Sequence, residues 1–289
     1  MNVANVTSCA QNGRARLFMG PHRERAQKDA ELLLMHVLGQ SRSWLLAHPG
    51  DAVSESNCAR YSELLERRYR GEPIQYIVGE TEFYGLPFRV TPDVLIPRLE
   101  TEHVVEKAVA LARALPRPRI VDVGTGSGAI AASLAHHLPD AQITAIDLSP
   151  NALVIAKQNA ERNKVRDRVR FIEGDLLAPV ADEQFDLVIS NPPYVAAYDR
   201  ESLAVEVRDF EPPLALFAGN DGLDVFRRLI PAAREVLDMS GFIVLEIGCG
   251  QAESIGALLA AAGFESIEFT PDLQGIPRVA SARRTPNPA

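Results

Sequence analysis

Apolar residues recur at helical spacing through the first third of the chain and alternate between strand and helix patterns after it. Ala26, Ala30, Leu33, Leu34 and Val37 fall on one face of a helix. A second helix begins after Ser54, a residue suited to an N-cap, and buries Cys58, Tyr61, Leu64, Leu65 and Tyr69. Gly71, with Pro73 just beyond, ends it. A short helix over 41–47 places Trp44 in the same small core. In residues 80–97, aromatic and β-branched residues flank 85–87, which predicts a two-stranded hairpin. Strands are then expected at 119–123, 142–147, 169–173, 185–190, 242–247, 264–269 and 278–283, with helices over 98–114, 127–137, 150–163, 223–238 and 251–262. This alternation predicts an α/β fold, a mostly parallel sheet covered on both faces, with ligands at the carboxyl ends of its strands. The expected division is a helical domain over 1–79, a bridging hairpin over 80–97 and an α/β domain over 98–289. The tail at 283–289 reads as loose.

Composition narrows the class. A chain of 289 residues is long for one compact core, which favours a large domain with a smaller one. No apolar run reaches the roughly 20 residues that span a bilayer. The N-terminal stretch also lacks the apolar block of a secretory signal. Cys9, Cys58 and Cys249 are odd in number and scattered, so they read as free thiols in a reducing cytoplasm rather than as a disulfide framework or zinc site. The net charge of −8 weighs against a dedicated nucleic-acid binder, whose phosphate contacts need surplus Lys and Arg. Residues 1–75 carry ten Lys/Arg against eight Asp/Glu, an imbalance that an ordinary solvated helix surface accounts for.

Candidate chemistry begins at the first α/β strand. Asp122 is followed by Gly124, Thr125, Gly126, Ser127 and Gly128, a glycine loop that opens a helix. Glycines there permit a tight turn and let a ligand approach the backbone. Gly124, Gly126 and Ala129 also satisfy the GxGxxA form of a nicotinamide site, so the loop alone does not choose between cofactors. Asp147 ends the next strand, where a carboxylate accepts hydrogen bonds from two ribose hydroxyls. Asp122 separates the two cofactor classes. A carboxylate beside the loop repels a pyrophosphate but suits the cationic amino group and sulfonium of S-adenosyl-L-methionine. The alternative role for Asp122 is to cap the loop itself.

Asn191-Pro192-Pro193-Tyr194 ends the fourth α/β strand. Two prolines after a buried strand terminate it and hold the backbone extended and rigid. The Pro192 carbonyl and the Asn191 side-chain carbonyl then offer two acceptors converging on one NH₂ group, with Tyr194 as an aromatic wall. Such acceptors orient an amide nitrogen and stabilise the positive charge that grows on it during methyl transfer.

These segments resemble the class I methyltransferases that act on planar NH₂ groups: DVGTGSGAIA, AIDLSPNAL, GDLL and SNPPYV. GEPIQYIVGETEFYGLPF, LIPRLETE, RDFEPPLALFAGNDGLDVFRRLI, LEIGCGQ and DLQGIPRV resemble the release-factor glutamine methyltransferases, and the likeness runs from about residue 25 to 284. The resemblance implies a class I, Rossmann-like methyltransferase sheet preceded by a small helical bundle. It implies methylation of the side-chain nitrogen of the glutamine in the Gly-Gly-Gln motif of class I peptide-chain release factors. Cofactor contacts would fall on 124–128, Asp147 and Asn191, and the substrate amide on Asn191, Pro192, Pro193 and Tyr194. Two positions depart from the family pattern. Leu176 stands where some relatives stack an aromatic on adenine, and Leu99 stands where many have proline. Arg98, Glu100 and Glu246 read as supporting residues near the site, and Asp272 and Arg278 as ordering the last hairpin. An adenine-N6 methyltransferase would use the same tetrapeptide on a flipped base, but the chain has no Lys/Arg-dense recognition segment. A sibling glutamine methyltransferase of a ribosomal protein has a similar layout, and Glu100-Thr101-Glu102 after Arg98 favours the release-factor branch over it.

Overall fold

The computed structural model describes residues 4–285, so the last four positions of the expected loose tail lie outside the described residues. The chain divides into two compact units: Met1–Gly79 with Leu203–Phe210, and Glu80–Ser202 with Glu211–Ala289. The return of 203–210 to the first unit interrupts what the sequence pattern treats as one continuous α/β domain.

The first unit holds α1 (Val6–Phe18), α2 (Ala26–Leu38), α3 (Arg42–Ala47), α4 (Glu55–Tyr69) and α5 (Ile74–Val78), with α9 (Val205–Arg208) from the returning segment. Ser54 caps α4 by accepting from the Asn57 amide, and Ser41 caps α3 through the Trp44 amide. Ala30, Leu33, Leu34, Tyr61, Leu64 and Leu65 meet in one core. Trp44 lies at its margin, half-buried and stacked on His48. Cys9 and Cys58, far apart in sequence, come together here as reduced thiols. Burial and Cys58 push the Cys9 thiol up to about 11.

Arg68 is the largest fully buried side chain of this unit, a residue whose charge the apolar pattern does not anticipate. Its Nε donates to Asp29 Oδ2 at 2.7 Å, and its Nη1 donates to the Glu72 carbonyl and to Glu206 Oε2, both at 2.9 Å. Burial of such charges is tolerated only with partners of this kind. Glu206 belongs to α9, so the buried arginine ties the returning segment to α2 and α4.

The second unit carries a seven-stranded sheet in the order β5-β4-β3-β6-β7-β9-β8. Its strands are β3 (Arg119–Val123), β4 (Gln142–Asp147), β5 (Val169–Glu173), β6 (Phe185–Ser190), β7 (Leu237–Glu246), β8 (Phe264–Pro271) and β9 (Pro277–Arg284). Only β9 runs against the rest. The helices are α6 (Leu99–Ala112), α7 (Ala129–His137), α8 (Pro150–Arg162), α10 (Asp224–Val236) and α11 (Ala252–Ala261). Two separate apolar cores flank the sheet, as covered parallel strands require. The strand order reverses between β3 and β6, and such a switch point opens a crevice at the strands' carboxyl ends.

The hairpin of β1 (Glu80–Phe83) and β2 (Leu86–Arg89) belongs to this unit, with Phe83 and Phe88 in one of its cores. Asn159 of α8 secures it by accepting from the Arg89 amide at 2.7 Å and donating to the Arg89 carbonyl at 2.9 Å. Leu99 at the first position of α6 is 76% exposed, and the helix forms there without the proline that favours a helix start.

Candidate active site

Where β3, β4 and β6 end, the chain encloses a cavity of about 280 Å³. Gly124 and Gly126 sit on its wall with φ of +72° and +54°. A side chain at either position meets no atom within 4 Å, so the backbone conformation rather than crowding calls for glycine. The loop folds back on β4: the Gly124 and Thr125 amides both donate to the Ile146 carbonyl at 2.9 Å. Gly128 lies behind the wall, where an added Cβ would come within 3.0 Å of Ala156 and push α7 off α8.

Asp147 stands on the wall at the end of β4. Its Oδ2 accepts from the Gly126 amide at 2.7 Å and its Oδ1 from the Ser149 amide at 2.9 Å. Burial raises its pKa, and the backbone amides of Ser149, Gly126 and Leu148 pull it back. Each oxygen keeps a lone pair for a further donor. Asp147 thus shapes the glycine loop and retains capacity for a diol.

Asp122 is placed differently from the expectation of a cofactor contact. It is fully buried and off the cavity wall, and its Oδ2 accepts from the Thr125 hydroxyl at 2.6 Å. Burial pushes its pKa up to about 7, against the pull of Thr125. A carboxyl buried behind the loop braces the turn from within through Thr125.

Asn191 and Pro193 reach the wall, whereas Pro192 is buried behind it and Tyr194 turns away. The Tyr194 hydroxyl donates to Glu246 Oε1 at 3.1 Å, so the ring is drawn toward a buried carboxyl instead of lining this cavity. Asn191 Nδ2 donates to Thr101 Oγ1 at 3.0 Å. That bond leaves Oδ1 as the end of the amide with acceptor capacity to spare. Leu176, at φ +51°, supplies apolar wall to the same cavity.

Several wall residues are not among the expected site residues, although Leu95 and Pro97 lie in LIPRLETE and Leu214, Phe217 and Arg228 in RDFEPPLALFAGNDGLDVFRRLI. Asp93, Val94, Leu95 and Pro97 arrive from the stretch after the hairpin, Leu214 and Phe217 from the stretch after 211, and Arg228 from α10. Arg228 pairs with Asp175. Besides those segments, the prolines at 92, 97, 212 and 213 signal extended turns rather than helix in the first two stretches. The supporting residues also take definite partners. Arg98 Nη2 donates to Glu211 Oε1 at 2.5 Å. Arg278 donates to Asp272 at 2.9 Å, and Asp272 also accepts the Gln274 and Ile276 amides of the last hairpin.

The cavity fits S-adenosylmethionine. Glycines admit a ligand against the backbone, Asp147 offers acceptors to a diol, and Leu176 with Leu148 offers apolar surface to a flat base.

Comparison with known proteins gives the same class. The PrmC N-terminal domain model matches residues 13–79 and the Methyltransferase small domain model matches residues 103–207. The release factor glutamine methyltransferase of Geobacter sulfurreducens is 43% identical over 260 residues, 90% of this chain and 90% of that protein. The protein of the same name from Bradyrhizobium diazoefficiens is 44% identical over 268 residues, 91% of this chain and 90% of its own length. Among solved structures, a methyltransferase from Pyrococcus furiosus shares the fold, with a TM-score of 0.51 and 18% identity over 71% of this chain and 91% of its own. Identity at this level over nine-tenths of the chain, with a glycine loop, Asp147 and Asn191 around one cavity, places the chain in the release factor glutamine methyltransferase family of S-adenosylmethionine-dependent enzymes.

Proposed function

We propose that this enzyme methylates the side-chain amide nitrogen of the glutamine in the Gly-Gly-Gln motif of a class I peptide-chain release factor. The observation that carries this reading is the orientation of Asn191, whose NH₂ is tied to Thr101 so that its carbonyl is left for a substrate N–H. Gly124, Thr125, Gly126, Ser127, Asp147 and Leu176 would hold the cofactor, which supplies an electrophilic methyl group when bound. Asp122 supports their loop from behind.

An amide nitrogen is a weak nucleophile because its lone pair is delocalised into the carbonyl. Asn191 Oδ1 accepts one of its N–H bonds, and the Pro192 carbonyl, off the cavity wall in this structure, would have to turn toward the substrate to accept the other. Both interactions strengthen as positive charge grows on the nitrogen, so they favour the transition state over the ground state. Pro193 and Tyr194 keep the tetrapeptide rigid. The charged nitrogen then sheds a proton readily, and no strong base is needed.

A net charge of −8 supports a protein substrate over a nucleic acid. Among the described residues no helix is long and apolar enough to cross a membrane, which is compatible with work in the cytoplasm. The helical unit, with no catalytic set of its own, is assigned to recognition of the release factor. The direct test is incubation with labelled S-adenosylmethionine and purified release factor, followed by mass spectrometry. Label on the Gly-Gly-Gln glutamine is expected. Label elsewhere, or on RNA only, would overturn the assignment.

Asp147→Ala is expected to weaken S-adenosylmethionine binding roughly 10–100-fold, since it removes a charged acceptor and a partner of the Gly126 amide. Isothermal titration reads this directly. An unchanged Kd would place the cofactor somewhere other than the glycine loop.

A further inference from the structure

Behind Asn191, residues that touch no reacting atom in the proposed chemistry form one continuous chain of hydrogen bonds. Asn191 Nδ2 donates to Thr101 Oγ1 at 3.0 Å, Thr101 Oγ1 donates to Glu246 Oε2 at 2.6 Å, and the Tyr194 hydroxyl donates to Glu246 Oε1 at 3.1 Å. The members come from the first turn of α6, the end of β7 and the tetrapeptide after β6. Glu246 is 1% exposed and Thr101 4%, so water does not compete for the bond between them, while the Asn191 and Tyr194 bonds at its two ends are part-buried.

The direction of each bond follows from proton counting. A hydroxyl has one proton, and an ionised carboxylate can only accept. While Glu246 is charged, Thr101 must commit its proton to it, and only lone pairs remain on Oγ1 for Asn191. Asn191 then has to turn its NH₂ toward Thr101. We propose that Glu246 is a positioning residue that acts through Thr101 to set the polarity of the Asn191 amide, so that a carbonyl rather than an NH₂ meets the substrate nitrogen. The inference rests on the reading of Asn191 as the substrate's acceptor.

Protonation of Glu246 undoes the arrangement. A neutral carboxyl donates to Thr101, Thr101 donates its own proton onward, and the Asn191 amide turns its oxygen inward to receive it. The substrate NH₂ then faces another NH₂, and no hydrogen bond forms. Burial pushes the Glu246 carboxyl up to about 7, with the Thr101 and Tyr194 hydroxyls opposing. Of the charged groups around it, Glu100 of α6 raises it and Arg278 of β9 lowers it, the latter held at 2.9 Å by Asp272. Tyr194 stays a donor throughout, because burial and Glu246 hold its phenol above the ordinary value.

The test uses the full-length enzyme with purified release factor at saturating substrates. Wild-type kcat is expected to fall as pH drops from 8 to 6, along a limb centred near 7. Glu246→Gln, which cannot titrate, should lose that limb. Thr101→Val, which removes the hydroxyl at nearly constant volume, should lower kcat at least about tenfold with KM for the release factor little changed. Thr101→Ser should return kcat to near wild type and keep the limb. Circular dichroism and cofactor titration confirm that each variant is folded, and if Glu246→Gln is not, the Thr101 pair decides. An acid limb unchanged in Glu246→Gln, or wild-type kcat in Thr101→Val, overturns the proposal. If Asn191→Ala is inactive in the same assays, such a result removes only the polarity device, whereas a fully active Asn191→Ala removes the acceptor reading beneath it.

Discussion

Asn191→Ala is expected to lower kcat by about 10²–10³-fold while the protein remains folded and still binds S-adenosylmethionine. The loss is the scale seen when one preorganised partner of a developing charge is removed. Asn191 is held from behind by Thr101, so its carbonyl costs little to orient when substrate arrives. Alanine leaves the strand exit intact, because Pro192 and Pro193 fix the backbone there without help from the side chain. Cofactor affinity should shift by less than about tenfold, since Asp147 and the glycine loop are untouched. Single-turnover methylation of purified release factor, set beside a cofactor titration, separates the two effects. A variant that keeps a rate within a few-fold of wild type would reduce the tetrapeptide to a strand terminator.

Arg68→Ala should destabilise the helical unit by about 3–5 kcal/mol, the usual cost of removing one member of a buried charge pair. Asp29 is 1% exposed, and the substitution leaves its carboxylate without the Nε donor at 2.7 Å. Glu206 and the Glu72 carbonyl lose their donor in the same step. The chain contains one tryptophan, Trp44, and it lies in this unit, so its fluorescence during urea unfolding reports the helical unit separately from the sheet. That separation matters because two compact units need not unfold together. Residues 203–210 continue directly from the segment that follows the tetrapeptide, so their release is expected to lower activity on intact release factor while cofactor binding persists. A Trp44 transition unchanged in Arg68→Ala would mean that the arginine is a bystander to the unit's stability.

The two expected results rest on different kinds of information. Helix and strand positions follow from local periodicity, and Ser54 capping α4 or the strand at 119–123 needs no knowledge of the rest of the chain. The glycine loop and the prolines after β6 are equally local, because backbone conformation at φ > 0 or after a strand end is a property of a few adjacent residues. The α/β class, the helical front unit and the local backbone of the glycine loop and tetrapeptide were therefore legible from residue order alone.

Which side chains meet across long separations follows from packing and not from residue order. Thr101, Asn191 and Glu246 lie 90 and 145 residues apart by their hydrogen bonds, and no period links them. Arg68 reaches Glu206 over 138 residues, a bond made inside the helical unit to which 203–210 belong. Asp122 sits beside the loop in sequence, yet the fold seals it behind Thr125 and away from the cavity. Tyr194 follows the same rule, because a buried carboxylate from β7 draws its hydroxyl inward. Residue type and spacing say that a polar group is present. Which way it faces depends on the partner that satisfies it once water is gone, and that partner is chosen by packing.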